Sequence, residues 1–161
     1  MARIDLKDTT ILIKDGGSNS VEIKVGDGTL TYTESRNMEY LLDRGIIDTV
    51  REGDQIPMDV SFDLVWEFLK ASTTTTPTPE EALKQEGGAS DWVSSSSDTC
   101  EPYAVDLQIT HDPACATEDL EQITLPDFRW ESIDHDVKAA TLSASGKSNA
   151  RRATIVRLAQ T

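Results

Sequence analysis

Residues 125 to 149, LPDFRWESIDHDVKAATLSASGKSN, gather Asp127, Asp134, His135, Asp136, Ser143 and Lys147 in one stretch. By residue type this could be hydrolytic machinery, provided that a hydroxyl meets an imidazole which a carboxylate orients. The alternation of the segment argues otherwise. Read as a strand, WESIDHDV sends Glu131, Ile133, His135 and Val137 to one side and Trp130, Ser132, Asp134 and Asp136 to the other. His135 is thereby parted from both flanking aspartates. ATLSASGK packs Leu142 and Ala144 and turns Thr141, Ser143 and Ser145 to a polar face. VKAAT joins the two as a hairpin, in which Ser143 comes near Asp134 or Asp136 without a histidine on their side. A polar sheet face describes these residues better than a catalytic site.

Metal chemistry fares little better. Ten residues separate Cys100 from His111 and three separate His111 from Cys115, unlike the close pairs of structural zinc sites. Cys100, His111, Cys115 and His135 therefore suggest no metal and no cofactor. The two cysteines are too few for a disulfide framework, and a cytoplasm would keep them reduced; buried thiols or a bond formed after assembly outside a cell both stay open. DGGSNS lacks the ending of a phosphate loop, and GASDWVSSSSD lacks both its glycine spacing and its helix. Nothing in the chain points to an enzyme.

The 161 residues suit a single domain, 1 to 161, with one core. A formal charge of −14, from 29 acidic and 15 basic residues, argues against coating nucleic acid by phosphate neutralisation. A wall that lets DNA pass without adhesion remains compatible with it. Residues 71 to 137 hold 15 acidic and 2 basic groups, whereas residues 138 to 161 hold no acid and 5 bases. That asymmetry suggests complementary faces within or between subunits. MARIDLKDTTILIKDGG lacks the apolar run of a signal peptide, and no segment reaches the roughly 18 to 20 apolar residues of a membrane span, so a soluble protein made in a cytoplasm is expected, with no membrane partner.

Period-two alternation dominates the elements that must carry these residues. TTILIKD, SVEIKV and TLTYTES read as a three-strand meander, with DGGSNS and GDG as turns. QIPMDVSFDL aligns Ile56, Met58, Val60, Phe62 and Leu64 on one face, and Val65, Trp66, Phe68 and Leu69 then shift the phase. TTTTPTP is a short linker. Thr78, Pro79 and Glu81 form a capping-box start for a short helix at about 79 to 86, stopped by Gly87 and Gly88, which reads as an end plug. EPYAVDLQIT, EQITLPDF, WESIDHDV, ATLSASGK and RRATIVRL continue the strands. About eight strands and one helix predict a mainly β fold, a β-sandwich or partly closed β-barrel.

Residues 36 to 54, RNMEYLLDRGIIDTVREGD, break the alternation and form a long connection rich in apolar residues. So long a connection in a small β domain tends to be functional, and its apolar content speaks against disorder. It should dock on its own domain or on a neighbour.

YLLDRGIIDTVREGDQIPMDVSF (40 to 62), TPEEALKQEG with DWVSSSSDTCEPYAVDL (78 to 107) and LPDFRWESIDHDVKAATLSASGK (125 to 147), with the strand order, resemble the major tail tube proteins of tailed bacteriophages over most of the chain. The resemblance implies hexameric rings that stack into a tail tube for DNA ejection, in a virion tail assembled in the host cytoplasm. Its implied partners are further copies of itself, the tape-measure protein, the tail terminator and distal tail or baseplate proteins, while DNA passes without specific binding. It also implies that the extended loop at 36 to 54 reaches the next ring through Tyr40, Leu41, Leu42, Arg44, Ile46, Ile47 and Val50. Asp106, Asp134 and Asp136 are then candidates for an acidic lumen, and Arg151, Arg152 and Arg157 for contacts with the acidic middle of an adjacent subunit. A tube of a contractile injection device or gene-transfer particle would share the fold. A β-sandwich ligand-binding module is the rival from another class, though Trp66, Trp92 and Trp130 are scattered rather than grouped as a platform.

Overall fold

The computed structural model describes residues 6–17, 19–23, 25, 28–65, 77–92, 104–113 and 119–159. Among these are ten strands: β1 (Thr9–Lys14), β2 (Ser20–Ile23), β3 (Leu30–Thr33), β4 (Met38–Asp43), β5 (Ile46–Glu52), β6 (Met58–Val65), β7 (Val105–His111), β8 (Leu120–Asp136), β9 (Thr141–Ser148) and β10 (Thr154–Leu158). One helix, α1 (Pro79–Lys84), lies between β6 and β7. All pairings are antiparallel, and eight strands run in the order β2-β1-β7-β8-β9-β6-β3, with β10 also on β8. Strands β4 and β5 form a separate hairpin.

The 17-residue β8 serves two leaves. Its first half pairs with β7 and β10, and its second half, from Phe128 to Asp136, with β9. Sequence reading expects two strands here, EQITLPDF and WESIDHDV; the chain instead bends without ending. Asp127 sits at the bend with φ 50°, and its N–H donates to Asp106 Oδ1 at 3.1 Å. Ser148 Oγ donates to the Pro126 carbonyl, and Asn149 N–H to the Asp127 carbonyl at 3.2 Å. Side chain and backbone of the neighbouring strands thus occupy the groups that a bend takes from the ladder.

The two leaves close on one core. Ile11, Ile13, Ile23, Leu107, Ile109 and Ile123 come from one leaf, and Met58, Val60, Phe62, Leu64, Leu142 and Ala144 from the other. Phe62 and Phe128 meet within it, with ring centroids 5.7 Å apart. The three-strand meander is corrected: β1 and β2 pair as expected, but β3 crosses to the other leaf and pairs with β6. Burial explains the crossing, because Leu30 and Tyr32 lie opposite Phe62 and Val60 and pack on the core.

The capping box is present, with Glu81 N–H donating to Thr78 Oγ1 at 3.3 Å and Thr78 N–H to Glu81 Oε2 at 3.3 Å. The helix ends earlier than the 79 to 86 expected, at Lys84, because Gln85 adopts φ 56° and caps it before the glycines. The buried set is larger than Ala82 and Leu83, since Pro79, Ala89 and Trp92 are buried with them, and Ala82, Leu83, Ala89 and Trp92 join the core. Gln85 Nε2 ties this end to the Trp92 and Ala104 carbonyls at 2.8 and 3.1 Å. No described helix is long and apolar enough to cross a membrane.

Candidate assembly surfaces

The long connection at 36 to 54 is a β-hairpin. Arg44 (φ 51°) and Gly45 (φ 83°) occupy consecutive left-handed positions, the geometry of a two-residue hairpin turn whose twist matches the strands. The RG dipeptide that breaks a helical stripe in the sequence is therefore the turn itself. Tyr40 faces Val50 and Leu42 faces Ile47, with a register shift between Leu41 and Leu42. Every residue from Tyr40 to Glu52 is exposed, Ile46 by 74% and Leu42 by 63%. Burying one such side chain fully is worth about 1.5–3 kcal/mol, so the arm holds unused binding free energy. Contiguous exposed apolar surface of this kind marks an interaction site.

At its root the arm is held to the body. Gly53 N–H donates to the Asn37 carbonyl at 2.7 Å, and Met58 N–H to the Ala150 carbonyl at 3.0 Å. Arg151 pairs with Glu52, and Ala153 N–H donates to Glu34 Oε1 at 2.9 Å. Of the three C-terminal arginines, Arg151 thus holds an intrachain partner, and Arg157 Nε lies 3.7 Å from Glu121 Oε2. Arg152 is exposed and lines a cleft of about 370 Å³ with Glu34, Ser35, Arg36 and Arg151.

The outer face of the leaf β3-β6-β9-β8 is polar. Register places Thr31 and Thr33 beside Ser61 and Asp59, these beside Ser145 and Lys147, and Asp63 beside Ser143 and Asp134. Ser143 Oγ donates to Asp63 Oδ1 at 2.6 Å, so the hydroxyl answers to a carboxylate of the neighbouring strand. Lys147 Nζ lies 2.7 Å from Asp59 Oδ1, a contact that raises the lysine's pKa above its ordinary value. A shift of register between Trp130 and Ser132 alters the side assignment expected from strict alternation. Trp130 pairs with Gly146 yet is exposed, and Glu131 joins Thr31, Asp59 and Ser61 around an outer cleft.

Asp134 and Asp136 are both exposed on this polar face, and Asp136 has a local duty as well. Its Oδ1 accepts the Lys138 and Ala139 N–H groups, each at 3.1 Å, and so shapes the turn into β9. Asp106 is not brought to them. It sits in the other leaf, opposite Lys14, where it braces the β8 bend. Its placement beside an alternating apolar run gave no signal of that bend.

His135 turns away from the aspartates, as alternation predicts, and its Nε2 lies 2.7 Å from Glu80 Oε1 on α1. Lys84 Nζ reaches the same oxygen at 2.7 Å. Burial tends to raise the Glu80 pKa, but the hydrogen bonds from Lys84 and His135 prevail and hold it below the ordinary carboxylate value. Ser143 and His135 therefore have different partners on different faces and are not brought together. Cys100 and Cys115 lie outside the described residues, as do Trp66, Phe68, Leu69 and the 72–76 linker. No group of three or more metal-ligating side chains forms among the described residues.

Neither the models of known protein families nor the curated proteins match this sequence. Solved structures do share its fold. A chain of the PVC extracellular contractile injection system, from the sheath/tube terminator in the extended state, is 12% identical with a TM-score of 0.54. That match covers 97% of this chain and 98% of the other. A chain from the sheath-tube complex of the same system is 10% identical with a TM-score of 0.56, over 97% and 93%.

Proposed function

We propose that the chain is a structural subunit of a tail-like tube, in which copies join into hexameric rings and the rings stack. The observation that carries this reading is the β4–β5 hairpin, an ordered arm with Tyr40, Leu41, Leu42, Ile46, Ile47 and Val50 all exposed. A lone domain gains nothing by presenting these side chains to water, whereas a neighbouring copy gains by covering them. The fold shared with chains of an injection system supports the same reading.

Within a ring, the leaf β3-β6-β9-β8 is suited to line the channel. Among the described residues β3 pairs only with β6, and β8 beyond Trp130 only with β9, so each end of the leaf offers a strand edge to a neighbour. Joining these edges would run the polar faces together around a lumen. Asp59, Asp63, Glu131, Asp134 and Asp136 would outnumber Arg129 and Lys147 on that wall, repelling a DNA backbone over roughly the 8 Å Debye length of physiological salt. DNA, or a tape-measure protein in a phage tail, would pass without adhering, and terminator and baseplate proteins would close the ends. The tube of a contractile injection device is the second reading, favoured by the source of the two similar structures.

Negative-stain microscopy and sedimentation at rising concentration test the proposal. Rings or hollow tubes are expected from the wild type, and folded monomers from L42S/I46S/I47S. A wild type that stays monomeric at every concentration would overturn it.

A further inference from the structure

The root of the hairpin carries a groove that the described residues leave open, two clefts that share Arg151. One end is the cleft of Glu34, Ser35, Arg36, Arg151 and Arg152, and the other is a shallower pocket of about 180 Å³ formed by Gln55, Ile56, Pro57, Asn149, Ala150 and Arg151. Arg151, shared by both, is paired with Glu52. Glu34 is engaged by the Ala153 N–H. Among the described residues neither Arg36 nor Arg152 makes a hydrogen bond or ion pair, and both are exposed. Two guanidinium groups outside any ion pair, in a cleft they share with the Glu34 carboxylate, are notable in a chain of formal charge −14.

The tip of the hairpin has the complementary pattern. Leu42, Ile46 and Ile47 are exposed beside Asp43 and Asp48, and Arg44 is the single cation at the turn. Carboxylates and exposed apolar side chains at the tip thus meet their complements at the root, where Arg36 and Arg152 line one cleft and Ile56, Pro57 and Ala150 contribute to the next. Root and tip lie at opposite ends of one arm, so a molecule cannot satisfy its own pattern.

We propose that the groove at the hairpin root receives the hairpin tip of a second copy, with Arg36 and Arg152 binding Asp43 and Asp48. This rests on the tube-subunit reading and names the receptor it lacks. The contact is heterologous, since two different patches meet, and such a contact repeats without closing when the copies are related along the arm. Charge-assisted pairs fix register while the apolar side chains supply affinity.

Charge reversal with rescue tests it on the full chain, read by sedimentation and microscopy, with circular dichroism to verify folding. R36E/R152E and D43K/D48K are each expected to raise the concentration for half-assembly by about tenfold or more at low salt. Combining all four is expected to bring it back to within about threefold of wild type. Reversals without effect, or a combination worse than either parent, would overturn the groove. If L42S/I46S/I47S still abolishes assembly in that event, the tube-subunit reading stands and the groove alone falls; if the wild type never assembles, both fall.

Discussion

Gly146 shows how closely one residue can be held. A Cβ built there would lie 2.1 Å from the Arg129 carbonyl oxygen and 2.9 Å from Trp130 Cα, both backbone atoms that cannot swing aside. It sits opposite Trp130, where β8 carries its register shift, so a side chain would press on the distorted strand. G146A is expected to cost about 1–3 kcal/mol, as overpacking does, measured by urea unfolding. Glu80 offers a second test at this scale. Its folded pKa is lowered from the ordinary value, so its contribution is complete above that value and is lost as pH falls through the folded pKa. The stability difference between wild type and E80Q should be under about 1 kcal/mol near neutrality, because the pair is partly solvated, and should shrink as pH drops below about 4.5. A difference that grew below pH about 4.5 would contradict the geometry.

Individual elements differ in how far their sequences declare them. The capping box of α1 was legible because Thr78, Pro79 and Glu81 act locally. T78A is expected to destabilise by about 1 kcal/mol, seen as an earlier urea midpoint at unchanged slope. The alternation of β6 and β9 was legible because each has a dry face and a wet one, with Leu142 and Ala144 buried as expected. The β4–β5 hairpin was not, since none of its residues from Tyr40 onward is buried and alternation records burial. Its signal was the Arg44-Gly45 turn, overlooked because arginine is an uncommon partner at positive φ. β8 was cut in two for a related reason: Pro126-Asp127 looks like a strand end, and what carries the strand through is Asp106, 21 residues earlier. The same contact places Asp106 in the other leaf, apart from Asp134 and Asp136.

At the scale of the whole molecule, charge is sorted by surface. The outer face of β3-β6-β9-β8 carries Asp59, Asp63, Glu131, Asp134 and Asp136 against Arg129 and Lys147, whereas at the root of the arm Arg36, Arg151 and Arg152 outnumber Glu34 in their cleft. If the polar leaf lines a channel, its net charge decides whether DNA slides or sticks, and assembly itself should depend little on it. E131K/D134K spares the turn made by Asp136 and leaves the hairpin and its root untouched. The variant is expected to form the same particles as wild type by microscopy. Wild-type particles should retain no DNA in a co-sedimentation assay at low salt. The variant should retain it at about 50 mM salt and release it steeply towards about 200 mM, because each phosphate contact releases a counterion. Particles of E131K/D134K that ignore DNA as wild type does would overturn the idea that the charge of this leaf decides whether DNA slides or sticks.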